Sequence, residues 1–284
     1  MIVITGASGQ LGRLVITELL KSVSATEIVA AVRSPETVED ISSLGVQVRQ
    51  ANYDQPNTLD TAFAGADKLL LISSSEVGKR TPQHGNVITA AKKAKVKLIA
   101  YTSILHADST PLFLGTEHKQ TEALLAESGL PYVLLRNGWY TENYTAGIPI
   151  ALEHGVLLGS AGQGRISSAA RADYAAAAAA VLLAENQAGK LYELAGDEAY
   201  TLSEFADMVS KESGKALSYQ DMTEEEYAAV LKDAGLPEGL AEMLANSDAG
   251  ASKGGLFDKS KTLSRLIGQP TTPLLKVIKN ALAQ

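Results

Sequence analysis

The sequence contains no cysteine. This absence excludes disulfides, thiol nucleophiles, thiolate metal sites and cysteine-ligated iron–sulfur clusters. The four histidines show no metal-binding spacing, so we expect no metal site and place each histidine on the polar surface. These are His84, His106, His118 and His154. For His106, a few residues after the fifth predicted strand, a position at a ligand cleft stays open as the alternative. A cysteine-free chain is typical of a reducing compartment, and we therefore expect a cytoplasmic protein.

Basic residues and long apolar runs are also scarce. The chain has 25 Lys and Arg against 32 Asp and Glu, a net charge of −7. This balance argues against nucleic acid or an anionic membrane surface as the main partner. The most apolar segment, Ala175–Ala184, is too short to span a bilayer, and Met1–Gly6 lacks the features of a signal peptide. We expect no membrane insertion, and nothing in the sequence specifies an oligomeric state.

The first half of the 284 residues alternates between short apolar runs and segments with helical periodicity. One such periodic segment carries Leu11, Leu14, Val15 and Leu19 on one helical face. The runs are apolar almost throughout, which is typical of strands covered on both faces. The pattern predicts an α/β fold, a Rossmann-like doubly wound parallel sheet. The predicted strands are Ile2–Thr5, Ile28–Val32, Val46–Arg49, Lys68–Ile72, Val96–Thr102 and Tyr132–Leu135.

The pattern changes after about residue 195. Thr201 and Glu204 have the spacing of a capping box, which predicts the start of a helix. Glycines at 250, 254 and 255 predict a loop. We therefore expect a dinucleotide-binding domain over 1–196 and a smaller, mainly helical C-terminal domain over 197–284. Further predicted helices are Glu224–Lys232, Glu238–Ala245, Lys259–Ile267 and Pro273–Leu282.

The strongest motif is the glycine-rich segment Thr5–Gly12, which follows the first strand and opens a helix. Its spacing is G-x-x-G-x-x-G. Gly6 permits a tight turn, Gly9 lets a pyrophosphate approach the backbone, and Gly12 lets the helix pack against the strand. The free N–H groups of the helix start then face the phosphates. This context predicts a dinucleotide site.

The second predicted strand ends in Arg33, 21 residues after Gly12, where an NAD-preferring fold carries an acid. A guanidinium pairs with a 2′-phosphate, so we predict NADPH as the cofactor. Glu36 is close enough in sequence to compete for Arg33. Ser73–Ser75 follow the fourth strand and are candidate contacts for the nicotinamide half of the cofactor.

The sequence has ten tyrosines, and none is followed by lysine at the fourth position. Most short-chain dehydrogenases use such a Tyr-x-x-x-Lys pair as their acid. An alcohol dehydrogenase or a sugar epimerase of the usual type is therefore excluded.

These features resemble the NmrA-like atypical branch of the short-chain dehydrogenase/reductases, and most of all the type 2 NADPH:quinone oxidoreductases. The resemblance extends over essentially the whole chain. It is carried by Gly6–Gly12, Leu70–Gly78, Ile99–Ser103, Leu135–Tyr144 and Ala251–Asp258.

The resemblance implies an NADPH-binding Rossmann domain with a quinone bound in a cleft that the C-terminal domain completes. Many relatives have an aspartate where this chain has Asn52, so we expect altered adenine contacts there. The spacing of Arg171 and Asp173 favours an Asp–Arg pair or a helix cap, and Arg171 is also a candidate cofactor contact. The implied cofactor-binding residues are Gly6, Ala7, Ser8, Gly9, Gln10, Leu11, Arg33, Ser73, Ser74, Ser75, Asn137, Gly138, Trp139, Tyr140, Thr141 and Glu142.

Hydride transfer to an electron-poor quinone yields a stabilised hydroquinone anion that solvent can protonate, which agrees with the missing Tyr–Lys pair. We expect Asn143 to orient the quinone oxygen as the catalytic residue, with Trp139, Tyr140 and Tyr144 lining the site. Two other functions stay open. One is an NADP-binding redox sensor without turnover. The other is a reductase of cationic triphenylmethane dyes, which Glu76 and Glu142 would favour.

Overall fold

The computed structural model describes residues 1–283 and divides the chain into two compact units. The first unit comprises Met1–Ile104, Thr116–Asn137 and Arg171–Tyr192. The second comprises Leu105–Gly115, Gly138–Ala170 and Glu193–Gln284. The expected domains, 1–196 and 197–284, are each one continuous segment, whereas each of the two units consists of three segments. Two segments that each follow a strand of the first unit, residues 105–115 and 138–170, fold with the C-terminal residues.

In the described part of the chain a seven-stranded sheet has the order β3-β2-β1-β4-β5-β6-β8. Adjacent strands from β3 to β6 pair in parallel, and the order reverses direction after β1, as in a doubly wound sheet. The predicted α/β fold is confirmed. The strands are β1 Ile2–Thr5, β2 Ile28–Val32, β3 Gln47–Gln50, β4 Lys68–Leu71, β5 Leu98–Ile104, β6 Tyr132–Asn137 and β8 Leu191–Leu194.

The central strands of this sheet are buried throughout because both faces are covered, with helices of the first unit packed against them. The alanine-rich helix α8, Arg171–Leu183, packs along the helix that follows β1, where small side chains permit close approach. The other helices of this unit are α1 Gln10–Leu19, α2 Glu39–Ser42, α3 Pro56–Ala62, α4 Arg80–Lys93 and α5 Gly115–Ser128.

The second unit is mainly helical and also contains a pair of parallel strands, β7 Val156–Gly159 and β9 Ser218–Asp221. The predicted capping box is confirmed: the Thr201 hydroxyl accepts from the Glu204 N–H, and the Glu204 carboxylate accepts from the Thr201 N–H. The helices are α6 Thr141–Thr145, α7 Ile148–His154, α9 Leu202–Ser213, α10 Glu224–Asp233, α11 Glu238–Ser252, α12 Thr262–Ile267 and α13 Leu274–Leu282.

The loop predicted from the glycines at 250, 254 and 255 is only partly correct. Gly250 lies inside α11, where a Cβ would come within 2.6 Å of Leu112 Cδ1. Gly255 is also buried, and a Cβ added there would come within 2.6 Å of the same atom. These two glycines are needed for close packing. Across residues 1–283, no helix combines the length and apolarity required to cross a membrane.

Candidate functional site

The glycine-rich segment forms the turn that its spacing predicts. Gly6 has a φ of +58°, and its carbonyl accepts from the N–H of Gly9 over 3.0 Å. A Cβ at Gly12 would lie 2.6 Å from both the Gly6 oxygen and Ala7 Cα. Any side chain there would therefore push α1 away from the turn. The loop leads directly into α1, whose first N–H groups have no partner within the helix.

A pocket of about 240 Å³ opens at the carboxyl ends of β1, β2, β3 and β4 in the first unit. This is where doubly wound sheets bind their ligands. Several predicted cofactor residues meet there, whereas buried Ala7 and Leu11 line no part of it. The lining residues are Gly6, Ser8, Gly9, Ala31, Arg33, Ala51, Asn52, Tyr53, Ile72, Ser73, Ser74, Ser75, Glu76 and Gln83.

Arg33 pairs with Glu76, not with Glu36 as its sequence position suggested. The guanidinium donates to Glu76 Oε1 over 2.9 Å, and Lys79 approaches the other carboxylate oxygen at 3.4 Å. The Arg33 side chain is 67% exposed, so it can turn toward a ligand. Sequence reasoning missed this pairing because the two residues are 43 positions apart. The pocket thus has a cation at one end, with an anion competing for it.

Tyr53 and Thr5 connect the strand ends that form the pocket floor. The Tyr53 hydroxyl donates to Thr5 Oγ1 over 2.6 Å and lies 2.9 Å from the Ile72 carbonyl oxygen. Thr5 Oγ1 also accepts from the Ile72 N–H and donates to the Leu70 carbonyl. Burial raises the pKa of Tyr53, so this phenol stays protonated. Asn52, beside it, accepts from the Asp54 N–H through Oδ1.

The surface position expected for His84 and His118 is wrong, because both side chains are buried. Helices α4 and α5 turn these polar residues inward, where their rings meet Tyr101. Burial, with the nearby positive charge of Arg80, lowers the pKa of His84 to about 3 and lowers the pKa of His118 well below its usual value. The sequence carried no clear signal, since α4 is polar along most of its length.

Two buried acceptors stand without a hydrogen-bond partner in the described structure, Gln83 Oε1 and Asn137 Oδ1. Gln83 belongs to the pocket wall, and Asn137 ends β6 at the ligand-binding edge of the sheet. Unsatisfied buried acceptors are rare and call for a donor from elsewhere. These two acceptors, the glycine turn and the positive charge of Arg33 together fit a dinucleotide that carries N–H donors.

The remaining predicted residues fall in separate parts of the structure. Asn137 and Arg171, the latter starting α8, belong to the first unit, and Gly138–Asn143 belong to the second. In the second unit the N–H of Ala169 donates to the Trp139 carbonyl, and the N–H of Thr141 donates to the Ala169 carbonyl. Trp139 is buried and Asn143 is partly buried. Their roles stay predictions.

Metal-binding side chains do not cluster in the part of the chain that the structure describes. Residues 1–283 hold no group of three or more His, Asp or Glu side chains that could bind a metal ion.

Known proteins share both the sequence and the fold. A family described as NAD(P)H-binding matches residues 6–185. Quinone oxidoreductase 2 of Escherichia coli K12 is 59% identical over 280 residues, which are 99% of this chain and 98% of that protein.

Two solved structures extend the comparison. The crystal structure of the E. coli NADPH-dependent quinone oxidoreductase complexed with NADPH superposes with a TM-score of 0.96, covering 99% of each chain. Triphenylmethane reductase of Citrobacter sp., complexed with NADP(H), is 39% identical with a TM-score of 0.95, covering 99% of this chain and 100% of that one. This chain therefore belongs to the NAD(P)H-binding, NmrA-like family.

Proposed function

We propose that this protein is an NADPH-dependent quinone oxidoreductase that transfers hydride directly from NADPH to a quinone. The observation that carries the proposal is the pocket of the first unit. It combines the glycine turn with Arg33 at the end of β2, where an NAD-preferring fold carries an acid instead. The 59% identity to E. coli quinone oxidoreductase 2 supports the same assignment.

The chain offers a partner for each polar part of the cofactor. The N–H groups at the start of α1 face the pyrophosphate, and Gly9 leaves room for it. The Arg33 guanidinium pairs with the 2′-phosphate after releasing Glu76. The hydroxyls of Ser73–Ser75 and the unpaired Oδ1 of Asn137 are assigned to the ribose and the carboxamide of the nicotinamide half. Of these, Ser74 Oγ also accepts from the Glu76 N–H. When bound, NADPH supplies the hydride.

Asn143 is the residue that we assign to the quinone. Its amide N–H₂ is a donor suited to a carbonyl oxygen whose negative charge increases during reduction. A protein acid is not required, because the hydroquinone anion is stabilised by its ring and is protonated by solvent. We assign Trp139 and Tyr140 to the wall against the flat ring of the substrate.

The first test is to follow NADPH absorbance when purified protein meets a simple benzoquinone, with NADH as the comparison. We expect rapid consumption of NADPH and slow consumption of NADH. Tight NADPH binding without consumption, across several quinones and dyes, would contradict the enzyme and favour the redox sensor. We expect the protein to act in the cytoplasm on small-molecule quinones.

The role of Asn143 has its own test. Asn143→Ala should lower kcat/KM for the quinone by about tenfold to a hundredfold, because a donor to the developing charge is lost. The dissociation constant for NADPH should stay unchanged. Asn280→Ala, an exposed asparagine of α13, is the matched control. Full turnover with unchanged quinone KM in Asn143→Ala would remove this residue from the site.

Reduction of triphenylmethane dyes is the second candidate function, favoured by the 39% identity to the Citrobacter enzyme. A cationic dye needs acidic residues nearby, and Glu142 is one candidate in the second unit. Comparing kcat/KM for a cationic dye and a neutral quinone separates the two substrates. A higher kcat/KM for the dye that is lost in Glu142→Gln would support dye reduction as the function.

A further inference from the structure

The backbone N–H and the backbone carbonyl of Ser74 both form hydrogen bonds with side chains of one helix, α4. Its N–H donates to Nε2 of His84 over 3.0 Å, and its carbonyl accepts from Nε of Arg80 over 2.6 Å. Arg80 and His84 are four residues apart on α4, so they lie on the same helix face. The neighbouring N–H of Ser73 is held in turn by Thr102 Oγ1 over 2.9 Å. Both backbone groups of Ser74 are therefore engaged by protein partners, and the shape of the segment depends on them.

The direction of these hydrogen bonds requires one tautomer of His84. Because Ser74 donates to Nε2, that nitrogen must carry a lone pair, and the proton must lie on Nδ1. Nδ1 lies 2.8 Å from Oγ1 of Thr121, which therefore accepts. The Thr121 hydroxyl is free to do so, since it donates its own proton to the Glu117 carbonyl over 2.9 Å. A chain of donors thus runs from Ser74 through His84 and Thr121 to the backbone of α5.

The surroundings of His84 keep its ring neutral and in place. The side chain is fully buried, with edge-on contacts to Tyr53 at 6.2 Å and Tyr101 at 5.5 Å between ring centroids. Burial and the charge of Arg80 lower its pKa to about 3, so the ring is uncharged at neutral pH. Burial of an imidazole is costly unless its nitrogens are hydrogen-bonded, and both nitrogens of His84 are.

We propose that His84 is a positioning residue that holds Ser73–Ser75 in the shape that binds NADPH, and that Thr121 selects the tautomer it needs. The inference rests on the proposed function, because it assumes that the Ser73–Ser75 segment contacts the cofactor. If Thr121 could not accept, the Nδ1 proton would be buried without an acceptor, and the tautomer that accepts from Ser74 would be destabilised. With the proton on Nε2, two N–H groups would face each other and displace Ser74.

Two substitutions of Thr121 separate positioning from packing. Thr121→Val keeps the shape but removes the acceptor, and we expect NADPH to bind about tenfold more weakly. Thr121→Ser loses a buried methyl group but keeps the hydroxyl, and we expect NADPH affinity within about twofold of the wild type. A role in packing alone predicts the reverse order, because the serine leaves a cavity. The measurement is a binding titration with NADPH, with unfolding free energies recorded for both variants.

A second measurement needs no variant. Nitrogen-15 NMR of the histidine side chains in the full-length protein should show His84 protonated on Nδ1, with Nε2 unprotonated. A proton on Nε2 would overturn the proposal, as would wild-type NADPH affinity in folded Thr121→Val. A wild-type protein that binds no NADPH would instead overturn the proposed function. Normal binding in the wild type and in both variants overturns the role of His84 alone.

Discussion

The hydroxyl of Tyr144 donates to Oδ1 of Asp248 over 2.9 Å and joins α6 to α11 inside the second unit. Asp248 is buried, and its other oxygen accepts from the Ser160 N–H over 3.3 Å. Burial raises the pKa of Asp248 to about 6, and the nearby charge of Asp221 adds to this, although the two donors act in the opposite direction. Tyr144 follows Asn143 on α6, so this pair holds the helix that carries the proposed quinone residue.

Asp248 should make the stability of the protein depend on pH. Because its folded pKa of about 6 exceeds the ordinary 3.8, the folded state binds the proton more tightly. The resulting stabilisation is fully present below about pH 3.8 and is lost as the pH rises through about 6. At 1.36 kcal/mol per pH unit the loss is about 3 kcal/mol. Urea unfolding of the wild type and Asp248→Asn across this range measures it.

The asparagine variant stays uncharged. The difference between its unfolding free energy and that of the wild type should therefore rise by about 3 kcal/mol from about pH 4 to pH 7. The absolute offset includes the lost bond to the Ser160 N–H. Asp207→Asn, an exposed aspartate of α9, is the control and should follow the wild-type curve. Parallel curves for Asp248→Asn and the wild type would show that Asp248 does not titrate in this range.

Arg33→Ala should weaken NADPH binding by about tenfold to a hundredfold, because a charge-assisted contact with the 2′-phosphate is lost. NADH has no such phosphate, and its affinity should stay unchanged. Lys79→Ala is the matched control, since Lys79 contacts the same Glu76 carboxylate but does not line the pocket. Equal weakening of both dinucleotides, or an equal effect of Lys79→Ala, would contradict pairing between Arg33 and the phosphate.

Glu76→Gln should act in the opposite direction. The carboxylate lies against Arg33 and lines the pocket, so it competes with the phosphate and repels it. Removing its charge should tighten NADPH binding about threefold and leave NADH affinity less affected. Glu36→Gln, an exposed glutamate near Arg33 in sequence, serves as the control. Isothermal titration at low and high salt measures the affinities for NADPH and NADH. Weaker NADPH binding in Glu76→Gln would show that the glutamate supports cofactor binding.

Gly12→Ala should destabilise the protein by about 1–3 kcal/mol and reduce NADPH affinity, because the new Cβ meets backbone atoms of the glycine turn. Gly239→Ala on α11 is the contrasting control. A Cβ there meets nothing within 4 Å, and alanine is the better helix former. Because Gly239 is the second residue of α11, we expect a gain below the roughly 1 kcal/mol of a helix interior. Thermal unfolding should therefore move in opposite directions for the two variants. A neutral Gly12→Ala would mean that the turn can widen at no cost.

Much of the first unit was predictable because its signals are local. Strands buried on both faces must be apolar, and the predicted β1 and β2 match the observed bounds, while β5 begins two residues later than expected. The glycine turn was equally predictable, since a positive φ at Gly6 and the close approach at Gly12 are both constraints that glycine alone satisfies.

The sequence by itself determined the parallel sheet, the glycine turn, the cation that follows β2 and the absence of the Tyr–Lys acid. Only the tertiary structure decided that Arg33 faces Glu76, that His84 is buried against Ser74, and that Gly138–Ala170 fold with the second unit. The physical reason is distance along the chain. Periodicity and turn chemistry act over a few residues, whereas these pairings depend on which strands become neighbours and which helix face turns inward.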